Sequence, residues 1–393
     1  MKSLSERRYD LDWLRILGVL LLVPFHVALI FVLEPHSIMY IKDVVNSPSL
    51  DEAAGFVHLW HMPLLFAISG ASTFYALGFR SAGAYVRERF LRLLIPFLFG
   101  IITYIPLTTY IRKAGSLSFP EHFLGFFTFD FEHLDGYNGT FTPAHLWFIL
   151  FLFIFSLAAL PIFLALRSEK GQAIIKTGVL RLSPASLFLW VIPLALIASL
   201  DLLGDKNPLY YFLVFCFGYL LASDVRFQIA IDKITWVALA YGIFEAFFRN
   251  LVPQWHYAEW SWQWVLLGLM YELGRWSLTL ALLGLGHRFL NRTSPLKRYL
   301  SEAAMPFYLL HMTFSVLAGA FIIRLNLPVG AKYPLIVILA TILTMVVYEL
   351  VRRWNATRWL FGMKPRKLEN KVGLKKSVPG YENRSVRQEN SET

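Results

Sequence analysis

Apolar residues fall along the chain in long runs broken by short polar stretches. A bilayer crossing needs about 20 mostly apolar residues in helical form. About ten runs meet that measure: 13–33, 56–78, 91–111, 144–166, 186–203, 208–223, 233–250, 263–285, 301–323 and 334–351. The fifth, sixth and seventh are the shortest. The expected fold class is therefore all-α, a polytopic membrane protein with about ten transmembrane helices. Residues 112–142 form the longest break, and a short helix or lid is expected there. The tail from about 364 to 393 is polar and basic and reads as disordered, leaving 1–363 as one transmembrane domain.

Composition agrees. Of 393 residues, 56% are hydrophobic and 16% charged, and mean hydropathy is +0.53, too apolar for an ordinary soluble domain. The 12 Trp and 34 Phe suit contact with lipid and its interfaces. The single cysteine, Cys216, excludes an intramolecular disulfide and a multi-cysteine zinc site. The formal net charge of +11 reflects topology. With the amino terminus in the cytoplasm, the outer segments hold only Lys42, Arg112, Lys113, Lys206, Arg249, Arg324 and Lys332, and nearly all other Lys and Arg lie inside. That bias places both termini in the cytoplasm.

Charged and ionisable residues within the runs carry the candidate chemistry. In "LDWLRILGVLLLVPFHVALIF" Arg15 and His26 are eleven positions apart. On a helix that puts both on one face, ~16 Å apart along the axis. Pro24 removes a helix hydrogen bond and bends the chain beside His26. A lone intramembrane histidine either bonds a neighbouring helix or faces a cavity. The aligned arginine favours the cavity. Asp12 is too far along the axis to orient His26, and its expected partner is Arg15. In "RERFLRLLIPF" Arg89 and Arg92 point one way at i, i+3, as a phosphate-binding pair or as ordinary cytoplasmic anchors. In "LLGLMYELGRWSL" Glu272 and Arg275 are spaced for a buried ion pair, and Glu245 is a weaker case of the same kind.

Most of the ten histidines lie toward the outer side. His58, His61 and His145 open spans there, and His311 lies near mid-membrane. His36, His122, His133 and His256 read as solvent-exposed loop residues. No metal site is expected, because His58 and His61 at i, i+3 have no acid or cysteine nearby. Ser69 in "FAISGAS" reads as small-residue helix packing, and "GHRFLNRTSPLKRY" as an ordinary cytoplasmic loop.

These stretches, with "HMPLLFAISGASTFYAL", "HLWFILFLFIFSL" and "MPFYLLHMTF", occur in an order that resembles the membrane acyltransferase 3 family, from about residue 9 to 365. The resemblance implies ten spans and transfer of an acyl group from cytoplasmic acyl-CoA to a surface or periplasmic glycan. The likeness is to members that succinylate osmoregulated periplasmic glucans. It places the family's Arg-x10-His signature on Arg15 and His26, as catalytic residues, and its Arg-x-x-Arg signature on Arg89 and Arg92, as donor-binding residues. His61, His145 and His311 are candidates on the acceptor side. No permanently bound cofactor is expected, since acyl-CoA is a substrate. The expected partners are acyl-CoA, a glycan and the lipid bilayer, with no nucleic acid, in a prokaryotic inner membrane. A transporter or flippase for a lipid-linked carrier is the alternative from another class.

Overall fold

A computed structural model describes residues 8–33, 39–113, 116–130, 134, 138–200 and 202–366. His36, His133 and the tail from 367 lie outside the described residues. Among these residues the chain is helical, with no strand. The first span is α1 (Tyr9–Leu20) and α2 (Leu22–Ala28), continued by a 3-10 turn, Leu29–Phe31. Next come α3 (Pro48–Phe79), α4 (Ala82–Arg89), a π-turn (Phe90–Leu94), α5 (Ile95–Ile102), α6 (Tyr104–Lys113) and the short α7 (Phe119–Phe126). After them run α8 (Trp147–Ala158), α9 (Leu160–Arg167), α10 (Glu169–Leu180), α11 (Val191–Ala198) and α12 (Pro208–Ser223). The chain continues through α13 (Val225–Leu251), α14 (Trp262–Leu290), α15 (Pro295–Ile322), α16 (Val329–Val351) and α17 (Asn355–Leu360).

Six segments are each long and apolar enough to cross a bilayer: Tyr9–Phe31, α3, α13, α14, α15 and α16. Three further pairs qualify as bent spans, at 43° (82–102 with 104–112), 46° (144–158 with 160–167) and 116° (169–180 with 184–198). The fold is that of a multi-pass membrane protein. Prolines account for several breaks. The helix is interrupted at Leu21, Thr103 and Ala159, each two or three residues before Pro24, Pro106 and Pro161. A proline has no N–H for the carbonyl four residues back, and its ring crowds that carbonyl.

Helices start where capping residues stand, earlier than the apolar runs do. Asn207, Asp224, Ser261 and Ser294 each accept from a backbone N–H at the start of α12, α13, α14 and α15. So α13 begins at Val225 and α15 at Pro295, several residues before the runs at 233 and 301. Apolarity marks what lipid tolerates; caps mark where the backbone begins to coil. In the 112–142 region a capping box between Ser118 and Glu121 starts α7. This helix corrects one expectation. His122 is buried rather than solvent-exposed, because α7 packs on α6 and His122 Nε2 meets Thr109 Oγ1 at 2.9 Å. His256 is exposed, as expected.

The first span is central, with α1 packed on α3, α14 and α15, and α2 on α3, α15 and α16. The loop after α14 is no ordinary connector. Arg292 O accepts from Trp13 Nε1 at 2.9 Å, Asn291 Oδ1 from Tyr9 N at 3.2 Å, and Lys297 Nζ donates to Asp12 at 2.5 Å. At the other end of the span, Lys42 Nζ donates to Leu29 O at 2.9 Å, and Asp43 pairs with Lys332 at 2.6 Å. Both members of that pair are buried. Removing one partner of such a pair costs about 3–5 kcal/mol, because the other charge is left unpaired.

α3 and α12 touch backbone to backbone. A Cβ at Gly70 would lie 1.9 Å from Phe215 O, and one at Gly218 would lie 2.0 Å from Ala67 O. Small residues permit such approach between membrane helices. Ser69 takes no part beyond bonding its own helix, Oγ to Leu65 O at 2.7 Å. Gly70→Val must therefore separate the two helices, at a cost of ~3 kcal/mol or more. The expected result is a lower melting temperature in detergent and reduced folded yield by size-exclusion chromatography. An unchanged melting temperature would contradict this packing.

Candidate functional site

Two polar clusters lie at opposite ends of the first span. At the Arg15 end, the guanidinium of Arg15 is 3.3 Å from Asp12, the partner expected, and Asp12 is also held by Lys297. Arg92 is near enough to Arg15 to feel its charge. Arg89 and Arg92 converge on one carboxylate, Glu88, at 3.4 and 3.3 Å, and Arg80 joins them at 2.7 Å. Arg92 Nε also donates to Gly362 O at 3.1 Å, and Arg89 lies over Tyr85. The π-turn starts directly after Arg89 and contains Arg92; π-turns recur at functional sites. Arg89 and Arg92 thus share Glu88, and Arg15 lies within charge range of Arg92. Glu88, which the sequence reading passed over, partly neutralises this basic cluster.

At the other end is a cavity of about 630 Å³, within the usual ~300–1,000 Å³ of small-molecule sites. His26, His58, His61 and His145 all line it. Their hydrogen bonds settle their tautomers, since a carbonyl can only accept. His26 Nδ1 donates to Leu22 O at 2.9 Å, which leaves Nε2 as the nitrogen with a lone pair. His311 Nδ1 donates to Tyr308 O at 2.7 Å, so its Nε2 is an acceptor, 3.2 Å from the N–H of His26. His61 Nε2 donates to Gly18 O at 2.7 Å, and His145 Nε2 to Leu309 O at 3.0 Å. His145 Nδ1 is buried and has no partner among the described residues.

Local structure explains these positions. His145 sits in a 3-10 turn after Ala144, whose φ of 45° is left-handed and strained for a residue with a Cβ. Tyr308 OH holds the turn by donating to His145 O. The ring of Phe25 stands between His26, at 5.0 Å, and the rings of His61 and His58, at 6.2 and 6.4 Å. His311 is fully buried behind His26 and does not line the cavity, so the structure gives it no acceptor-side wall.

The cavity does not reach the basic cluster. Arg15, Arg89 and Arg92 are not on its walls, and its lining on the first span begins at Leu22. Gly18, bonded to His61, packs closely on Leu65 beyond that lining: a Cβ at Gly18 would lie 2.9 Å from Leu65 Cδ2. Glu272 and Arg275 do form the expected pair, at 2.8 Å, with Arg275 over Tyr210 and donating to Leu59 O. They too stand off the cavity, whereas Glu245, the weaker case in the sequence, lines it. Its spacing to Arg249, i and i+4, was the available signal. Among the described residues no three His, Cys, Asp or Glu side chains converge as a metal-ligand set.

Helices crossing a bilayer, a basic cluster and a histidine-lined cavity define a multi-pass membrane protein with a chemically equipped interior. The chain belongs to the acyltransferase 3 family: residues 8–349 match its acyltransferase domain, and the protein is an acyltransferase. It is 25% identical over 387 residues to "Glucans biosynthesis protein C" of Salmonella schwarzengrund (strain CVM19633), covering 92% of this chain and 96% of the relative. The proteins of the same name from Salmonella typhi and Salmonella typhimurium match to the same extent, 25% over 92% and 96%. No solved structure matches.

The tautomer assignment can be checked directly. Histidine-selective nitrogen-15 NMR of the protein in bilayers should show His26 protonated at Nδ1 and bare at Nε2. His311→Ala should shift the Nδ1 resonance of His26. The opposite protonation pattern would overturn the assignment.

Proposed function

We propose that the protein moves an acyl group from cytoplasmic acyl-CoA to a hydroxyl of a glycan on the outer side of a prokaryotic inner membrane. The observation that carries this reading is His26 on the wall of a histidine-lined cavity, with Arg15, eleven residues back on the same span, within charge range of Arg92, which shares Glu88 with Arg89. In this reading the six long helices, the three bent pairs and α12 make ten crossings. Both termini are cytoplasmic, the basic cluster is inside and the cavity opens outward. Arginine forks suit the phosphates of a CoA thioester, which would compete with Glu88 for Arg89 and Arg92. The relatives' name supports a glucan as acceptor. The likeness of the motifs to glucan succinylating members supports succinyl as the group.

His26 Nε2 would act as general base. It takes the proton of the acceptor hydroxyl as that oxygen attacks the thioester carbonyl. The C–O bond forms, the C–S bond breaks, and the thiolate leaves with the proton held by the imidazolium. The same lone pair suits an acyl-histidine route. The bond from His26 N–H to His311 makes His311 a positioning residue that keeps Nε2 free, a role different from the acceptor-side one expected. His61 and His145 remain on the acceptor side. The distance from Arg15 to His26, ~16 Å by helix rise, fits an extended pantetheine arm. On this reading the arm passes Gly18 and Leu65, which are closely packed.

His26→Ala should lower ester formation on envelope glycans by ~10²–10⁴-fold while the protein inserts normally. Mass spectrometry of the glycans and immunoblotting of membranes read both, and undiminished ester would remove His26 from the chemistry. Arg89→Ala with Arg92→Ala should weaken acyl-CoA binding at least tenfold and leave glycan binding intact. Unchanged acyl-CoA affinity would reduce the pair to structural anchors.

A further inference from the structure

The wall of the cavity formed by α13 carries a second polar site. Glu245 and Arg249 lie one helical turn apart, and both line the cavity. Glu245 is only 2% exposed, and among the described residues its Oε2 has no hydrogen-bond partner. Arg249 Nε is buried and, among the same residues, likewise without a partner. Among the described residues no carboxylate comes within ion-pair distance of Arg249; its guanidinium lies over Tyr271, 5.8 Å from the ring centre. A buried carboxylate oxygen and a buried guanidinium N–H left unmade are costly. Packing alone gives no reason to keep them.

Glycines make room for both groups. A Cβ at Gly274 would lie 2.6 Å from Glu245 Oε2, and one at Gly55 would lie 3.1 Å from Arg249 Nη2. The groups are thus seated in recesses of the neighbouring helices α14 and α3.

We propose that Glu245 and Arg249 form a subsite for a neutral hexose ring of the acceptor, one that sets acceptor specificity. An ionised glutamate only accepts hydrogen bonds and an arginine only donates them. A sugar hydroxyl does both, so adjacent hydroxyls of one ring suit the pair once the two side chains turn from their recesses toward the cavity that they line. A carboxylate or phosphate would satisfy Arg249 but meet Glu245; an ammonium group would do the reverse. Tyr271 and Trp147 also line the cavity, which gives the subsite aromatic neighbours. The inference rests on the acyl-transfer reading for the nature of the acceptor, and adds the residues that hold it away from His26.

The test is equilibrium binding of a panel of neutral glucose oligosaccharides, differing in linkage, to the full chain in lipid nanodiscs with no acyl donor. Isothermal titration calorimetry is the readout. Glu245→Gln and Arg249→Met should each weaken binding at least tenfold. Gly55→Ala, which leaves both groups in place and only crowds Arg249, should weaken it several-fold with an unchanged melting temperature. Wild-type affinity in all three variants would overturn the proposal. So would a wild-type protein that binds succinate alone and none of the oligosaccharides. Because no donor is present, the outcome is independent of whether His26 carries acyl transfer.

Discussion

The hydrogen bonds of His26 Nδ1 are the constraint on which the site depends. This N–H faces Leu22 O of its own helix and His311 Nε2 of α15. With His311 Nδ1 committed to Tyr308 O, no other proton arrangement satisfies the set. The consequence is chemical: the lone pair of the first span is at Nε2. The consequence is also structural. The first span is tied to α15 through this contact between the two imidazoles.

The ends of the first span are restrained in different ways. Toward Arg15, loop backbone from 291–292 and the Lys297–Asp12 contact hold α1 to the following helices. Toward His26, Lys42 meets carbonyls at the end of the turn after α2, where the helix dipole is negative, and the buried Asp43–Lys332 pair locks the next segment to α16. Between these ends Gly18 packs on Leu65 and accepts from His61, below the part of the first span that lines the cavity.

Much of this architecture was legible along the chain. Apolar runs mark the crossings because hydrophobic length is a local property. Pro24 marks the break in the first span because its missing N–H is local too, although Pro63, Pro306 and Pro334 lie inside continuous helices. The Glu272–Arg275 pair was legible because three residues on a helix fix a contact. Other features were not. His122 lies in a region that reads as a solvated loop, yet α7 buries it against α6. His58 and His61 read as the start of a span, but α3 begins at Pro48, which carries them onto the wall of the cavity. The strain at Ala144 that presents His145 has no sequence signature.

The sequence by itself determined an all-helical membrane protein, the break beside Pro24, and which runs carry arginines and histidines among apolar residues. Those properties depend on neighbours within a few residues, where backbone geometry settles the outcome. Only the tertiary structure decided that His311 stands behind His26 across 285 positions of chain, that Glu88 sits among the arginines, and that Glu245 rather than Glu272 faces the cavity. Such contacts depend on which helix faces meet, and that is set by close packing throughout the bundle, including glycines as distant as Gly70 and Gly218.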